Sequence, residues 1–418
     1  MMSSYSVGLL ALLVVACRVR SSEPTKPSSS PPPALQTSAA PSAAPEPSGS
    51  LEQPPPEPAA GTLALVAVCG IGSDPRQVES ASAALRLSRL AHEAGASCLD
   101  AVVAGVAALE DDPLLNAGRG AALRLDGSAE LDAAVMTSAG QFGAVTGLAS
   151  VQNPSRVARA VLDTPHRVLA GAGAQRLARL LGLEAFDVRT EAAKIQHRSL
   201  LSELAAVGGR EAQAGVTDWS SVAAGGAPGL LQAFLPKTST PARGETKDQG
   251  SVPSAAEAPS VASPPGATLS DVAGAAAASS APPAVPASAG GDTVAVLARC
   301  DRGEFAAAVS GGGPWLSLPG RIGDVPVPGA ALYVGPKAAV FASGHGEAIL
   351  DKLLARATYE RLVSAGSADA ALSWALKQAA PGQLTLVIAH ETGVVLGPEG
   401  ASAWAMLGPT LRTSKDGR

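Results

Sequence analysis

The sequence has few aromatic residues, few cysteines and no basic block, and each shortage excludes a class of function. Aromatic residues make up 3% of the 418 positions, and 31 basic and 36 acidic side chains give a formal charge of -5. This composition argues against a nucleic-acid partner. The four cysteines, at positions 17, 69, 98 and 300, form no CxxC pair and no cluster with histidine. The sequence thus indicates neither a zinc site nor a disulfide framework.

Residues 1–61 are typical of a targeting segment followed by a tether. An apolar run at 7–16, too short to span a bilayer, ends at Cys17. This layout resembles a bacterial lipoprotein signal at residues 1–17, in which acyl chains on Cys17 would anchor the protein to an envelope membrane. Because no Lys or Arg precedes the run, an ordinary signal of a periplasmic or secreted protein is the alternative. The Pro- and Ser-rich residues 18–61 predict a disordered tether.

The first ordered region begins with an apolar run of strand length at 62–68, which leads into a glycine turn. Residues 79–94 have apolar side chains at helical spacing and end before Gly95, which is typical of a helix C-terminus. A second helix is predicted to start at Ser97, whose spacing to Asp100 fits a capping box. This pattern predicts a mixed α/β domain.

A second ordered region follows residues 205–292, whose low complexity predicts a solvated, protease-accessible insertion. Residues 293–309 predict two strands joined by a hairpin turn. A strand at 338–342 is expected to lead into a helix that ends near residue 363. The last predicted element is an edge hairpin at 384–396.

Thr293 stands where the insertion ends and the strand pattern begins. Most threonines at such a position simply open a strand, which suits their β-preference. The other interpretation is that the chain is cut between Asp292 and Thr293. The hydroxyl of Thr293 would then be a nucleophile and its new α-amine a base, since such an amine titrates near pH 8, roughly the working pH.

Three motifs carry a resemblance to a known family. Residues 108–120 read ALEDDPLLNAGRG, residues 318–326 read LPGRIGDVP and residues 343–347 read SGHGE. They resemble motifs of the plant-type L-asparaginases and isoaspartyl peptidases, N-terminal nucleophile hydrolases related to glycosylasparaginase. The resemblance covers residues 62–204 and 293–400.

The family resemblance implies the fold and the division of the chain. The expected fold is the four-layer αββα sandwich of N-terminal nucleophile hydrolases. Residues 62–204 would form an α-subunit-like half and residues 293–408 a β-subunit-like half, followed by a tail at 409–418. Dimers of the cleaved unit and a structural sodium near the glycine turn after the first strand are also implied, with no metal in the chemistry.

The same resemblance assigns the reaction to residues of the second half. Thr293 would be freed by autoproteolysis after Asp292, and Ser343 and Gly344 would supply the donors that stabilise an oxyanion. His345, which follows them, is expected to be structural. The implied substrate is asparagine or an isoaspartyl peptide, from which the enzyme would release aspartate.

Substrate recognition is assigned to three further residues. Arg321 would bind the α-carboxylate of an amino acid and Asp324 its α-ammonium, a division that suits the two charged groups. Asn116 would contribute to substrate binding from the first half. Taken alone, Arg321 and Asp324 would pass for a salt-bridged turn, and Asn116 for an ordinary turn residue.

Three departures from the family pattern leave a second hypothesis open. The family's Thr-x-Gly has Ala295 in place of glycine, and Gly311 stands where a second threonine contacts the nucleophile. The family's opening HGGAG is VCGIG at residues 68–72. The chain is therefore either a hydrolase with slowed processing, or an unprocessed, catalytically silent binding or scaffold module on a tether. A glycosylasparaginase is a nearer alternative, against which the segment around Asn116 argues.

Overall fold

A computed structural model of the chain describes residues 63–69, 74–183, 185–207, 216, 217, 219, 293–380, 382–398, 402–408 and 411–415. The signal-like segment with Cys17, the tether and most of the insertion, including Asp292, lie outside these residues. The described part of the chain combines β-sheets and α-helices, so the expectation of an α/β fold is confirmed.

The strands form two sheets. In chain order they are β1 (Ala64–Cys69), β2 (Leu131–Thr137), β3 (Phe142–Leu148), β4 (Val168–Ala170), β5 (Val294–Arg299), β6 (Phe305–Gly311), β7 (Leu332–Gly335), β8 (Ala338–Gly344), β9 (Leu384–His390), β10 (Gly393–Gly397), β11 (Ala403–Leu407) and β12 (Leu411–Thr413). Eight pair in the order β12-β11-β1-β5-β6-β2-β3-β4, and four in the order β10-β9-β8-β7. All pairs are antiparallel except β3 with β4.

The helices are α1 (Pro75–Glu93), α2 (Cys98–Glu110), α3 (Pro154–Val161), α4 (Gly171–Leu180), α5 (Glu191–Val207), α6 (Gly346–Lys352), α7 (Leu354–Ala365) and α8 (Ala368–Ala375). None of them, within the described residues, is long and apolar enough to cross a bilayer. Helix α1 begins before the predicted residue 79, because Asp74 accepts a hydrogen bond from the Arg76 amide and Pro75 suits the first helical position.

Three apolar clusters hold the sheets and helices together. One lies between α1, α2 and α3 and one face of the larger sheet, where it includes Leu85 and Val296. The second fills the space between the two sheets and includes Leu297 and Phe341. The third joins the smaller sheet, at Ile388, to α7 and α8. Neighbouring residues of β5 thus face different clusters, as the period of two in a strand requires.

Several predicted elements are confirmed and others differ. Ser97 caps α2 as expected, with its Oγ accepting from the Asp100 amide at 3.1 Å. The single helix expected after β8 is two helices, because Leu353 has a left-handed backbone with φ of 45°. Residues at 411–413, expected to lie in a tail, form edge strand β12.

A disulfide joins Cys98 and Cys300, so the expectation of no disulfide is wrong. Cys98 opens α2 and Cys300 follows β5, and the packing of helix on sheet brings their Cα atoms to 5.9 Å. The 202 positions between them hide this pairing in the sequence. Glu304 also lies near both sulfurs. Sulfurs bonded to each other are not thiolates, so the three residues are not a zinc site.

Part of the insertion packs against the second half of the chain. Thr217 donates from its amide to the Trp315 carbonyl at 2.9 Å, and Trp219 Nε1 donates to the Leu316 carbonyl at 3.1 Å. Trp219 is buried in the cluster beneath the larger sheet. The expectation that the whole of 205–292 is solvated is therefore wrong at this point.

Candidate active site

Thr293 lies immediately before β5, in the middle of the larger sheet. Val294 pairs with Ser310 of β6, so Thr293 is opposite Gly311. Since Val294 faces the helices, the side chain of Thr293 is directed to the space between the sheets. A Cβ placed on Gly311 would lie 3.1 Å from Thr293 Oγ1. The neighbouring strand thus leaves room beside the hydroxyl where a side chain would otherwise stand.

A small pocket at Thr293 brings most of the expected site residues together. Arg321, Asp324 and Gly344 line this pocket with Thr293. They come from the start of β5, the loop before β7 and the end of β8. The pocket therefore gathers a hydroxyl, a guanidinium, a carboxyl and a glycine backbone from separate parts of the second half.

The charged heads of Arg321 and Asp324 meet next to Gly346. A Cβ on Gly346 would lie 2.8 Å from Arg321 Nη2 and 2.8 Å from Asp324 Oδ1, so a larger residue there would displace these two groups. Arg321 Nε donates to Glu347 at 2.8 Å. Burial raises the pKa of Asp324 to about 7, although the positive charge of Arg321 opposes the shift. Asp324 therefore changes its charge near neutral pH.

Asp132 also lines the pocket, and the sequence motifs did not single it out. It lies on β2, directly opposite Gly311. Its Oδ1 accepts from Thr146 Oγ1 at 2.6 Å and from the Gly147 amide at 3.1 Å. Burial raises the pKa of Asp132. Asp132 lies within residues 62–204, which resemble the family, and that was the available signal.

A buried arginine supports the pocket from behind. Arg124 is fully buried and forms an ion pair with Glu130 at 3.2 Å, and its Nη1 donates to Ser317 Oγ. A Cβ on pocket-lining Gly313 would lie 2.8 Å from Arg124 Nη1 and 3.3 Å from Arg321 Nη1. Gly313 has φ of 71°, a left-handed backbone that favours glycine, and a side chain there would also displace these guanidinium groups.

Asn116 holds this loop rather than lining the pocket. Its Nδ2 donates to the Gly313 carbonyl at 2.8 Å, and its Oδ1 accepts from the Ala122 amide at 2.7 Å. Its own carbonyl accepts from the Gly312 amide at 2.9 Å. Both ends of the side-chain amide are thus used within the protein. Asn116 therefore contacts pocket-lining Gly313 and does not itself reach the pocket, unlike Arg321 and Asp324.

Ser343 and Gly344 end β8, but only Gly344 is part of the pocket lining. Gly344 has φ of 134°, and a Cβ there would lie 2.0 Å from the Gln383 carbonyl oxygen, so no other residue fits. Ser343 is fully buried. The ring of His345 accepts from the Ala348 amide at 3.3 Å and caps α6, as expected for a structural histidine.

The glycine turn at 70–73 lies outside the described residues, so the structure gives no ligand set for the expected sodium. The roles expected of Asp292 and Cys17 fall outside them as well.

Sequence comparisons show the family to which the chain belongs. The asparaginase family profile matches residues 63–229 and 237–408, which extends past the motifs in the first half. The chain is 32% identical over 306 residues to a plant-type L-asparaginase of Thermococcus kodakarensis, covering 72% of this chain and 79% of that protein. It is 30% identical over 283 residues to the isoaspartyl peptidase of Escherichia coli, covering 67% of each.

A probable isoaspartyl peptidase/L-asparaginase 2 of Arabidopsis thaliana is 30% identical over 306 residues, covering 71% of this chain and 79% of that protein. The α/β fold and the similarity to these enzymes define a hydrolase. The chain belongs to the asparaginase family.

Proposed function

We propose that the protein is an amide hydrolase of the isoaspartyl peptidase/L-asparaginase type, with Thr293 as its nucleophile. The observation that carries the proposal is the shared pocket of Thr293, Arg321, Asp324 and Gly344. The proposed fold is the four-layer αββα sandwich of N-terminal nucleophile hydrolases. The three apolar clusters, which join helices to one sheet, sheet to sheet, and the second sheet to further helices, support it.

Activation begins with cleavage of the peptide bond between Asp292 and Thr293. Thr293 Oγ1 attacks the carbonyl carbon of Asp292, the C–N bond breaks, and the nitrogen takes the proton to become an amine. Water hydrolyses the resulting ester, which leaves a carboxylate on Asp292 and restores the hydroxyl. The new α-amine stands next to the hydroxyl and has a pKa suited to act as its base.

Recognition uses the zwitterion of the substrate. The Nε of Arg321 is held by Glu347, and its Nη groups lie toward the pocket-lining Gly313 and Gly346. They are thus directed to bind an α-carboxylate through two parallel hydrogen bonds. Ionised Asp324, beside Arg321, binds the α-ammonium. Asn116 contributes by fixing the Gly313 carbonyl.

Hydrolysis then proceeds through an acyl-enzyme. Thr293 Oγ1 attacks the side-chain carbonyl of asparagine, or the β-linked amide of an isoaspartyl peptide, while the α-amine accepts its proton. Gly344, which lines the pocket, would be one donor to the tetrahedral oxyanion, and Ser343, buried directly before it, is the second expected donor. The C–N bond breaks, and the amine returns the proton to the departing ammonia or amino compound. Water attacks the ester and releases aspartate.

Thr293→Ala tests the nucleophile directly. We expect no new N-terminus at residue 293 and no ammonia release from L-asparagine, whereas Thr293→Ser retains both. Thr392→Ala, in the exposed β9–β10 turn, is the matched control and should behave as wild type. N-terminal sequencing and a coupled ammonia assay measure the two steps. Equal turnover by Thr293→Ala and wild type would refute the mechanism.

The substrate is assigned by parallel assays on L-asparagine, an isoaspartyl dipeptide and a glycosylasparagine. Turnover of either of the first two supports the proposal, and turnover of the glycosylasparagine alone contradicts it.

A catalytically silent, unprocessed module remains the second candidate, favoured by Gly311 and Ala295. Gly311 provides no hydroxyl beside Thr293, and Ala295 is fully buried between the sheets, where the family pattern has glycine. The two candidates differ in one observation. A single full-length band on denaturing, reducing electrophoresis, without an N-terminus at Thr293, would support the silent module.

The proposal includes anchoring at the cell envelope through lipid on Cys17. Metabolic labelling with a radioactive fatty acid should label wild type and not Cys17→Ser, and membrane fractionation should release the variant. A dimer of cleaved units is also proposed, and light scattering of the soluble form measures it. A mass of one unit would contradict the dimer.

A further inference from the structure

We propose that the Cys98–Cys300 disulfide joins the two chains produced by cleavage at Thr293, so that the mature protein is one covalent unit. This rests on the proposed function, since it requires the cut between Asp292 and Thr293. Cys98 would belong to the first chain and Cys300 to the second. Thr293 lies between them, seven residues before Cys300.

The fold places this bond across the two halves. Cys98 opens α2, and α2 packs on β5, the strand that Cys300 follows. Both cysteines are buried, with 7% and 0% exposure, and Cys98 Sγ lies 3.9 Å from the Glu304 carbonyl oxygen. His92 of α1 contacts Asp301 at 3.1 Å next to the bond. The first half is therefore anchored against the turn after β5 by several contacts.

Among the cysteines that the structure describes, no other pairing can join the halves. Cys300 is the only cysteine in residues 293–418. In the first half, Cys69 is at the end of β1 opposite Val294. Val294 and Cys300 are six residues apart along an extended strand, which separates Cys69 from Cys300 by roughly 20 Å. A disulfide between chains must therefore use Cys98, or Cys17 outside the described residues.

The Cys98–Cys300 disulfide indicates that the protein matures in an oxidising compartment. Its formation takes two protons and two electrons from the thiols, and the electrons pass to a disulfide oxidant of the kind found in the bacterial periplasm. A reducing cytosol would keep the same cysteines as thiols. The signal-like residues 7–17 point to export on separate grounds.

The bond also has a consequence for the proposed anchor. Thr293, Arg321, Asp324 and Gly344 all belong to the second chain, whereas Cys17 belongs to the first. The disulfide would therefore keep the chain that carries the nucleophile attached to the chain that carries the lipid, even when the larger sheet unfolds.

Electrophoresis of the full-length protein, exported to a bacterial periplasm, tests this. Thiols are alkylated before denaturation to prevent exchange, and the sample is run with and without reductant. We expect one band near the full 41.2 kDa without reductant. With reductant we expect two bands, of which the smaller begins at Thr293. Cys98→Ser and Cys300→Ser should each give two bands in both lanes, and the control Cys69→Ser should behave as wild type.

The outcomes separate this proposal from the proposed function. Two bands without reductant show cleavage but no bond between the chains, which overturns the inference alone. One band in both lanes shows no cleavage, which overturns the proposed function and the bond between chains together. A Cys98–Cys300 peptide in a non-reduced tryptic digest, lost on reduction, supports the bond in the cleaved protein. A digest that links Cys17 to Cys300 would refute it.

Refolding gives a second readout. Unfolded chains joined by a disulfide refold in a unimolecular step, whereas separate chains must first meet. We expect the recovered fraction of cleaved wild type to be unchanged by a tenfold dilution, and that of cleaved Cys98→Ser to fall. Equal dependence on concentration in both proteins would contradict a covalent link.

Discussion

Replacing Gly311 with serine tests whether a missing hydroxyl beside Thr293 limits the reaction. A Cβ at Gly311 would lie 3.1 Å from Thr293 Oγ1 and 3.6 Å from Thr293 Cα and Cβ. A serine Oγ, one bond further, therefore reaches hydrogen-bond distance of the nucleophile with a small adjustment. A positioned neutral hydrogen bond contributes about 1 kcal/mol, which is roughly a fivefold change in rate. We expect Gly311→Ser to accelerate cleavage and to raise kcat/KM for L-asparagine about fivefold.

Gly311→Ala separates the hydrogen bond from crowding. It adds the same Cβ at 3.1 Å from the hydroxyl but no donor, so we expect cleavage and turnover no faster than wild type. Cleavage is followed by the fraction of chains that begin at Thr293 over time, and turnover by ammonia release. If the serine and alanine variants have equal rates, the argument that a hydroxyl at this position orients Thr293 is refuted.

Three further predictions concern charged groups. Because burial raises the pKa of Asp324 to about 7, its carboxylate forms near neutrality. KM for L-asparagine should therefore fall as pH rises from about 6 to 8. In Asp324→Asn, KM should be high and independent of pH over this range. Arg321→Lys replaces two parallel hydrogen bonds by a point charge, so it should lower kcat/KM by about 10- to 100-fold, mainly by raising KM. An unchanged KM would contradict the binding of the substrate carboxylate by Arg321. The fully buried Glu110 accepts hydrogen bonds from the Ser155 amide and hydroxyl, and burial raises its pKa to about 7. The free energy of unfolding should therefore fall by up to about 3 kcal/mol between about pH 4.5 and 7. Urea titration measures this dependence on pH, which should be lost in Glu110→Gln.

The sign for Glu110 follows from which state binds the proton. Below about pH 4.5 the carboxyl is protonated in both states, and its contribution to stability is fully present. Between about 4.5 and 7 the unfolded chain releases the proton while the folded chain keeps it, so unfolding becomes more favourable as pH rises. A wild-type protein whose stability rises over this range would contradict the assignment.

The family resemblance of short motifs, rather than the chemistry of single residues, is what pointed to the candidate site. The glycines and charges around Arg321 and Asp324, and the short turn after Gly344, are close neighbours in the chain. Each motif can therefore be recognised without knowledge of the fold, although Arg321 and Asp324 taken alone would pass for a salt-bridged turn. The predicted hairpin of β5 and β6 places Thr293 opposite Gly311, but the pocket also needs Gly344 at the end of β8 in the other sheet, and the packing of the two sheets is not visible in the sequence.

Contacts between distant segments were the part that sequence patterns missed. Asp132 looks like an ordinary strand residue until β2 pairs with β6 and places it opposite Gly311. The Cys98–Cys300 bond depends on how α2 packs on the sheet. The turn at Leu353 arises where a residue with no special preference adopts a left-handed backbone to end one helix and start another.

The strand order would let the fold tolerate the proposed cut at Thr293. Strand β1 comes from the first half, yet it lies between β11 and β5 of the second half, and β2 of the first half pairs with β6. Strands of the two halves are therefore interleaved within one sheet, and their hydrogen bonds do not depend on the peptide bond at residue 293. Cleavage would free the amine of Thr293 without releasing the strand that positions it. The native sheet holds the halves together when folded, so the disulfide matters when the sheet opens.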